Sequence, residues 1–455
     1  MVDPATVHAV FKAYDVRGLA PEQIDTELAR AVGRAHVQVT GAREVVVGHD
    51  MRPTSPDLAG AFAAGASEAG ADVVMIGLAS TDMLYFASGH LGLAGAMFTA
   101  SHNPAAYNGI KMCRANAVPL GTESGLTEIR DLVLEPRAAG TAPLGDIREH
   151  DLLDAYAAHL LALAPLTGSR RLKVVADAGN GMAGHTAPAV FDRLPRDQVE
   201  LVPMYFELDG TFPHHEANPI EPANLRDLQE RVVAEGADIG LAFDGDADRC
   251  FLVDERGVAV SPSALTGLIA QRELAKDPGA VVIHNLITSR AVPELVERLG
   301  GRPVRTRVGH SFIKATMAET DAVFGGEHSG HFYFRDFWRA DSGMLAALHA
   351  LAALSETDAP LSQLMAEFDP YPLSGEVNSE VADVATVTER LVTTYDGQPG
   401  VELDRLDGLT VSHADWSFNV RPSNTEPLLR LNVEGRDLPT MERVRDEVLA
   451  LIRQP

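Results

Sequence analysis

The sequence predicts an α/β protein, three similar α/β domains followed by a smaller α+β domain. Three observations carry this. The chain has 455 residues, room for about three or four domains of ~100–150 residues each. Three segments repeat one layout of strand, polar loop, helix and further β-rich stretch, which is the α/β unit. After Glu376 the pattern changes to short alternating strands and a terminal helix.

In order, Tyr14 and Arg17 flank Asp15 in an opening segment where Gly18 permits a turn. The first repeat has a β-branched strand, Glu44 to Gly48, then Arg52-Pro53-Thr54-Ser55-Pro56 and an alanine-rich helix. An apolar run, Leu91 to Phe98, reads as a further buried strand. The second repeat starts with a strand at Arg171 to Ala176, followed by a glycine-rich turn and a helix. The third starts at Ala280 to Ile283, followed by Thr288-Ser289-Arg290 and a helix. Recurrence at roughly 110–130 residues predicts three related domains. Ala, Gly and Pro are dense from Glu135 to Leu144, ahead of a helix at Asp151 to Leu163. A hairpin-like turn, Asp254 to Gly257, closes the second unit, and Asp369-Pro370-Tyr371-Pro372 breaks the third. The expected domains are therefore 1–150, 151–254, 255–368 and 369–455. Met344 to Leu354 is apolar nearly all round and reads as a buried helix. In the last domain, Trp416 to Val420 and Leu428 to Val433 read as strands, and Pro439 to Ile452 as a helix.

The formal net charge is −26. It argues against nucleic acid or an anionic membrane surface as the main partner. An anionic ligand would need arginines and lysines clustered at its site. Two distant cysteines, Cys113 and Cys250, read as buried thiols in a reducing cytoplasm. No apolar run reaches the ~18 residues of a spanning helix, and the N-terminus does not read as a signal peptide.

Four loops carry chemistry. Thr99-Ala100-Ser101-His102-Asn103-Pro104 follows an apolar run and stops at a proline, so it is a loop at a strand end. Ser101 is the natural nucleophile or phosphate carrier, with His102 beside it to orient it. A hydroxyl-rich turn is the plainer reading of the hexapeptide alone. Asp244-Gly245-Asp246-Ala247-Asp248-Arg249 follows the apolar run Ile239 to Phe243. Three carboxylates at alternate positions repel unless a cation compensates, and all-oxygen donors suit Mg²⁺. An acidic surface turn or a weak calcium loop are the alternatives. Glu255 stands at the twelfth position of an EF-hand register, but a strand precedes the loop and glycine sits second. Gly325-Gly326-Glu327-His328-Ser329-Gly330-His331 offers Glu327 and Ser329 to sugar hydroxyls, with His310 a weaker companion upstream. Arg421-Pro422-Ser423-Asn424-Thr425-Glu426-Pro427 combines a guanidinium, hydroxyls, an amide and backbone N–H groups, which suits a phosphate dianion. A fifth motif competes. Gly179-Asn180-Gly181-Met182-Ala183-Gly184 spells G-x-G-x-x-G after a strand, with Glu207 and Asp209 downstream, and would make the chain a dinucleotide-dependent oxidoreductase. His214-His215 has no partner at metal spacing and reads as a surface pair. A non-catalytic phosphosugar sensor would keep the clamps but need neither Ser101 nor the aspartates.

The four loops, in this order and spacing, resemble those of the α-D-phosphohexomutase superfamily, and most closely its bacterial phosphomannomutase/phosphoglucomutase branch. Asn424, where glycine is expected in the phosphoglucosamine mutases, favours this branch over that runner-up. The resemblance implies mixed sheets and four domains around a central cleft. It implies interconversion of hexose 1- and 6-phosphates, of mannose and also glucose, through phosphorylated Ser101 and a hexose 1,6-bisphosphate that also serves as activator. It implies Mg²⁺ on Asp244, Asp246 and Asp248 with an oxygen on Ser101. Arg249 and Lys111 would share the charge compensation, and Lys111 and His331 are candidates for proton transfer. Tyr14, Arg17, His310, Glu327, Ser329, Arg421, Ser423, Asn424 and Thr425 would bind the phosphosugar. The loop Asn285 to Arg290 lacks the lysine that some members place there, leaving Arg290, Arg305 and Arg307 as substitutes. The expected state is a cytoplasmic monomer or weak homo-oligomer.

Overall fold

Valine-rich segments buried on both faces form the parallel strands at the centre of the sheets; Val45, Val46 and Val47 have no exposed surface. The computed structural model describes residues 3–135, 143–195, 197–422 and 428–454, with the backbone alone at 310 and 311. It divides into two units, Met1–Pro262 with Ser329–Leu364, and Ser263–His328 with Met365–Pro455.

The first unit holds two mixed sheets. In one, Ala94–Phe98, Glu44–His49, Asp72–Leu78 and Ile147–Glu149 run parallel. Tyr107–Arg114 turns back antiparallel to Ala94–Phe98 and pairs on its other side with Val16–Leu19. In the other, Ile239–Phe243, Leu172–Asp177 and Val199–Met204 run parallel. Cys250–Asp254 turns back antiparallel to Ile239–Phe243 and then pairs with Ala259–Val260 across the expected hairpin. The second unit holds the parallel trio Arg302–Thr306, Val281–Asn285 and Phe324–Gly326. It ends in a smaller antiparallel sheet, ordered Leu373–Glu380, Leu428–Gly435, Trp416–Pro422, Leu409–His413 and Glu402–Asp404. The helix Leu438–Ile452 covers that sheet through Met441, Val444, Val448 and Ile452. The architecture is thus α/β with four domains, the last smaller and antiparallel.

The run from Leu91 to Phe98 is not one strand. Leu91 ends the helix Thr81–Leu91, and Gly92, at φ +70°, caps it in the left-handed region, so the strand starts at Ala94. Continuous apolarity masked that helix stop. The apolar helix is Gly343–Ser355, with nearly every residue buried, and its N-cap Ser342 accepts from Leu345 N–H. Buried Asp82 joins three helices. It accepts from Ser80, from Tyr156 Oη at 2.7 Å and from Ser342 Oγ at 2.6 Å. Both cysteines are buried, and neither forms a disulfide. Among the described residues no helix is long and apolar enough to cross a membrane.

Candidate active site

Three of the four loops leave equivalent points of the repeats. Ala94–Phe98 runs into residues 99–106, Ile239–Phe243 into 244–249, and Phe324–Gly326 into 327–331. In the first two, the chain leaves a parallel strand and returns antiparallel beside it, in the registers Phe98↔Ile110 and Phe243↔Cys250. The turn between exposes polar residues at the carboxyl end of a parallel strand, where α/β sheets place their ligands.

The first two loops meet. Ser101 sits at φ +50°, an uncommon region for a side chain other than glycine. Its Oγ donates to Asp244 Oδ2 at 2.7 Å and lies 3.3 Å from His102 Nδ1. Gly245 permits the contact, since a Cβ there would overlap the Ser101 carbonyl oxygen. Ala247, at φ +60°, curls the aspartate loop. One oxygen from each of Asp244, Asp246 and Asp248 lies within 4.8 Å of the others, and all three residues are buried.

Cations brace this cluster. Lys111 Nζ bridges Asp246 Oδ2 at 2.7 Å and Asp248 Oδ2 at 2.6 Å. Arg249 places Nε and Nη2 each 2.9 Å from Asp244 Oδ2. Thr81 Oγ1 donates to Asp246 Oδ2 at 2.5 Å. Burial raises Asp244, and Asp248 and Asp246 beside it add to the rise; against Arg249 it still reaches about 8. Burial would raise Asp246 too, but the Lys111 charge together with hydrogen bonds from Lys111, Thr81 and Ser101 outweighs it, and the carboxyl lies below its usual range. The same pairing outweighs burial at Lys111, which stays well above its ordinary value. Burial and the Arg249 and Arg17 guanidinium groups hold His102 well below the imidazole range.

The donor set fits a metal ion. Asp246 Oδ1 and Asp248 Oδ1 are buried and accept no hydrogen bond within the described residues. Buried carboxylate oxygens without donors are costly unless a cation faces them. The EF-hand alternative fails, because Glu255 accepts from Ser362 Oγ at 2.5 Å and Ser362 N–H at 3.0 Å instead.

Other candidates fall as follows. His331 pairs with Arg249 in an isolated bridge, and its Nε2 lies 3.5 Å from Asp248 Oδ1. Ser329 Oγ lies 3.0 Å from His331 Nδ1, so this serine orients the imidazole. Arg17 is engaged with Asp15, and its Nη1 donates to Ala100 O at 3.1 Å and Asn103 Oδ1 at 2.6 Å. Tyr14 lies half-buried in the same segment. In the second unit Glu327 is buried and accepts from Gly309 N–H at 3.1 Å. Arg421 Nη2 lies 3.3 Å from Glu376 Oε2, with Arg430 Nη1 3.4 Å from Oε1 of the same carboxylate. Arg290 stacks on Tyr371 and donates to Ala414 O at 2.8 Å, and Arg305 pairs with Asp404 at 2.8 Å. Arg307 is the most exposed of the three substitutes. Ser423, Asn424 and Thr425 lie outside the described residues, as does the His310 side chain.

The G-x-G-x-x-G stretch is a packing device. Met182 N–H donates to Gly245 O at 2.9 Å, and a Cβ at Gly181 would lie 2.7 Å from that oxygen. The aspartate loop occupies the space a pyrophosphate would need. His214 and His215 are not a plain surface pair. His214 stacks on Tyr205 at 3.9 Å, and His215 Nε2 lies 3.0 Å from buried Asp177. Sequence reasoning missed Arg52 and Thr81. Arg52 was visible as a cation inside a proline-flanked strand-end loop; Thr81 carried no signal.

Comparison with known proteins covers all four domains. Models of the phosphoglucomutase/phosphomannomutase family match α/β/α domain I at residues 8–138, domain II at 154–257, domain III at 261–371 and the C-terminal domain at 376–451. A phosphomannomutase of Salmonella montevideo is 41% identical over 453 residues, covering 97% of this chain and 98% of its own. A protein of Xanthomonas campestris pv. campestris named as phosphohexose mutases is 42% identical over 449 residues, covering 97% and 99%. Among solved structures, a phosphoglucomutase/phosphomannomutase family protein of Burkholderia thailandensis superposes with a TM-score of 0.89 at 32% identity, covering 100% of this chain and 98% of its own. With a serine turned onto a buried aspartate triad, and full-length kinship on this scale, the chain belongs to the phosphoglucomutase/phosphomannomutase family and is a phosphohexomutase.

Proposed function

We propose that the chain interconverts the 1- and 6-phosphates of mannose, and of glucose, through phosphorylated Ser101 and a hexose 1,6-bisphosphate. The observation that carries this is the Ser101 Oγ, 2.7 Å from Asp244 and inside a triad able to hold a metal ion. Phosphorylated Ser101 gives its phosphoryl group to the free hydroxyl of the hexose monophosphate. The bisphosphate turns over and returns its other phosphoryl group to Ser101. Asp244, Asp246 and Asp248 would hold the cation, Mg²⁺ by their all-oxygen chemistry. When bound, it supplies positive charge against the transferring group.

Arg249 and Lys111 keep the cluster near neutrality. Transfer of the hydroxyl proton falls to His331, oriented by Ser329, or to Lys111. Tyr14, Arg17, Glu327, His310 and the clamp Arg421, Ser423, Asn424 and Thr425 bind the phosphosugar. The four-domain division 1–150, 151–254, 255–368 and 369–455 belongs to the same reading. So do a cytoplasmic setting, supported by two cysteines outside any disulfide, and a hexose 1,6-bisphosphate activator.

The test is an intact-mass and coupled-activity comparison of wild type with Ser101→Ala, with trace hexose 1,6-bisphosphate. Wild type should show a species about 80 Da heavier, located at Ser101, and should turn over mannose 1-phosphate and glucose 1-phosphate. Chelation should abolish turnover and Mg²⁺ should restore it. Full turnover by Ser101→Ala, or by a demonstrably metal-free preparation, refutes the reading.

A further inference from the structure

One buried cation has no role in the mechanism above. Arg52 is 1% exposed, and its fork is spent entirely on the serine loop. Nη1 donates to the carbonyls of Pro104 at 2.9 Å and Tyr107 at 3.0 Å. Nη2 donates to the carbonyls of Ser101 at 2.9 Å and Asn103 at 2.6 Å. Nε faces Asp50 Oδ2 at 3.2 Å, and Asp50 is itself held by Ser55 Oγ at 2.6 Å and Arg52 N–H at 2.9 Å. The Phe212 ring covers the guanidinium at 5.0 Å.

We propose that Arg52 is a positioning residue for phosphoryl transfer: its four hydrogen bonds fix the left-handed turn at Ser101 and so aim Oγ at Asp244. This rests on Ser101 being the phosphate carrier. The carbonyls it gathers span the loop from Ser101 to Tyr107. The Ser101 carbonyl is buried and needs a donor, the other three are partly buried, and one guanidinium gathers all four. Ser101 at φ +50° would relax toward an ordinary turn without them. Oγ is two bonds from the backbone of that residue, so a change in its φ or ψ redirects the oxygen. Arg17 braces the outer side through Ala100 O and the Asn103 side chain, but it does not touch the Ser101 carbonyl. Lysine cannot replace Arg52, because an ammonium places its donors on one atom and cannot span two pairs of carbonyls.

The test uses the full chain with Arg52→Lys, which keeps the charge and most of the stem, and Arg52→Met, which keeps neither charge nor donors. For Arg52→Lys, kcat should fall about 100-fold, as for a reacting atom displaced by about an ångström, while KM stays within about threefold. Phosphorylation of Ser101 by added glucose 1,6-bisphosphate, followed by intact mass, should slow by the same factor. The folded fraction at assay temperature, read by circular dichroism, should match wild type. Arg52→Met should be at least as slow; if it does not fold, Arg52→Lys decides alone. Wild-type kcat in Arg52→Lys overturns the proposal. So does a KM rise with unchanged kcat, or a kcat loss with an unchanged Ser101 phosphorylation rate. An Arg52→Lys chain that fails to fold also overturns it, making Arg52 a determinant of folding alone. Turnover by Ser101→Ala would instead sink the phosphoserine reading beneath it, so the two failures are told apart.

Discussion

Asp82 should make the protein less stable as pH rises from about 4 to about 6, and Asp82→Asn should remove the effect. The carboxyl has no exposed surface and accepts three hydroxyl donors, from Ser80, Tyr156 and Ser342. Burial raises it from 3.8 to about 6, the hydroxyls offsetting only part of the cost. The folded state therefore binds this proton more tightly than the unfolded chain. Its contribution is full below the unfolded value and is lost as pH climbs through the folded one. A rise from 3.8 to about 6 corresponds to at most about 3 kcal/mol. Asparagine keeps one acceptor oxygen and gives a neutral N–H₂ that a rotated hydroxyl can accept. The assay is urea unfolding at pH 4 and pH 8, followed by Trp338 fluorescence in a Trp416→Phe background. Trp338 packs on Phe86, which in turn packs on Tyr156, so it reports on this region. Relative to wild type, the variant should gain about 2–3 kcal/mol between pH 4 and pH 8. A difference that stays constant with pH would refute the argument. The site stands to lose little, because Thr81, one residue earlier, holds Asp246 through its own hydroxyl.

Two further outcomes follow from the loops. Gly245→Ala drives a methyl group into the Ser101 carbonyl oxygen; it should cost about 1–3 kcal/mol of stability and lower kcat, measured by thermal melting and the coupled assay. Arg421→Ala should lower kcat/KM for 1- and 6-phosphates alike, by an amount equivalent to roughly 2–4 kcal/mol, because a charged contact to phosphate is lost. Impairment with one isomer only would break the shared-clamp argument.

The loops were legible because each is contiguous. A hydroxyl before a proline stop, or three aspartates at alternate positions, states its chemistry without the fold. The strands around them were legible from β-branched runs, and the helix from Leu438 to Ile452 from its pattern. What joins the loops was not legible. Lys111 reads as one residue of a polar run, yet folding sets it between Asp246 and Asp248, 135 and 137 positions away. Arg52 looked like part of a turn because its partners are main-chain carbonyls, which any sequence supplies. The glycines of 179–184 matched a nucleotide fingerprint because close approach demands glycine whether the neighbour is a ligand or another loop. Leu91 was misplaced because an apolar helix end and an apolar strand share one alphabet.

The cations around Ser101 have a consequence for transport rather than chemistry. Arg17, Arg52, Lys111 and Arg249 are largely buried and tied to carboxylates or carbonyls, while the chain as a whole carries −26. At low ionic strength, where the Debye length grows from ~10 Å at 0.1 M salt to ~30 Å at 0.01 M, an approaching sugar phosphate meets the net charge before it reaches these local groups. Encounter is then opposed by the field, and added salt should speed capture at low ionic strength, the reverse of an electrostatically steered enzyme. The same field speeds the departure of any bisphosphate that escapes and slows its recapture. Turnover thus favours completing both transfers in a single residence, a kinetic commitment imposed by residues that never touch the sugar.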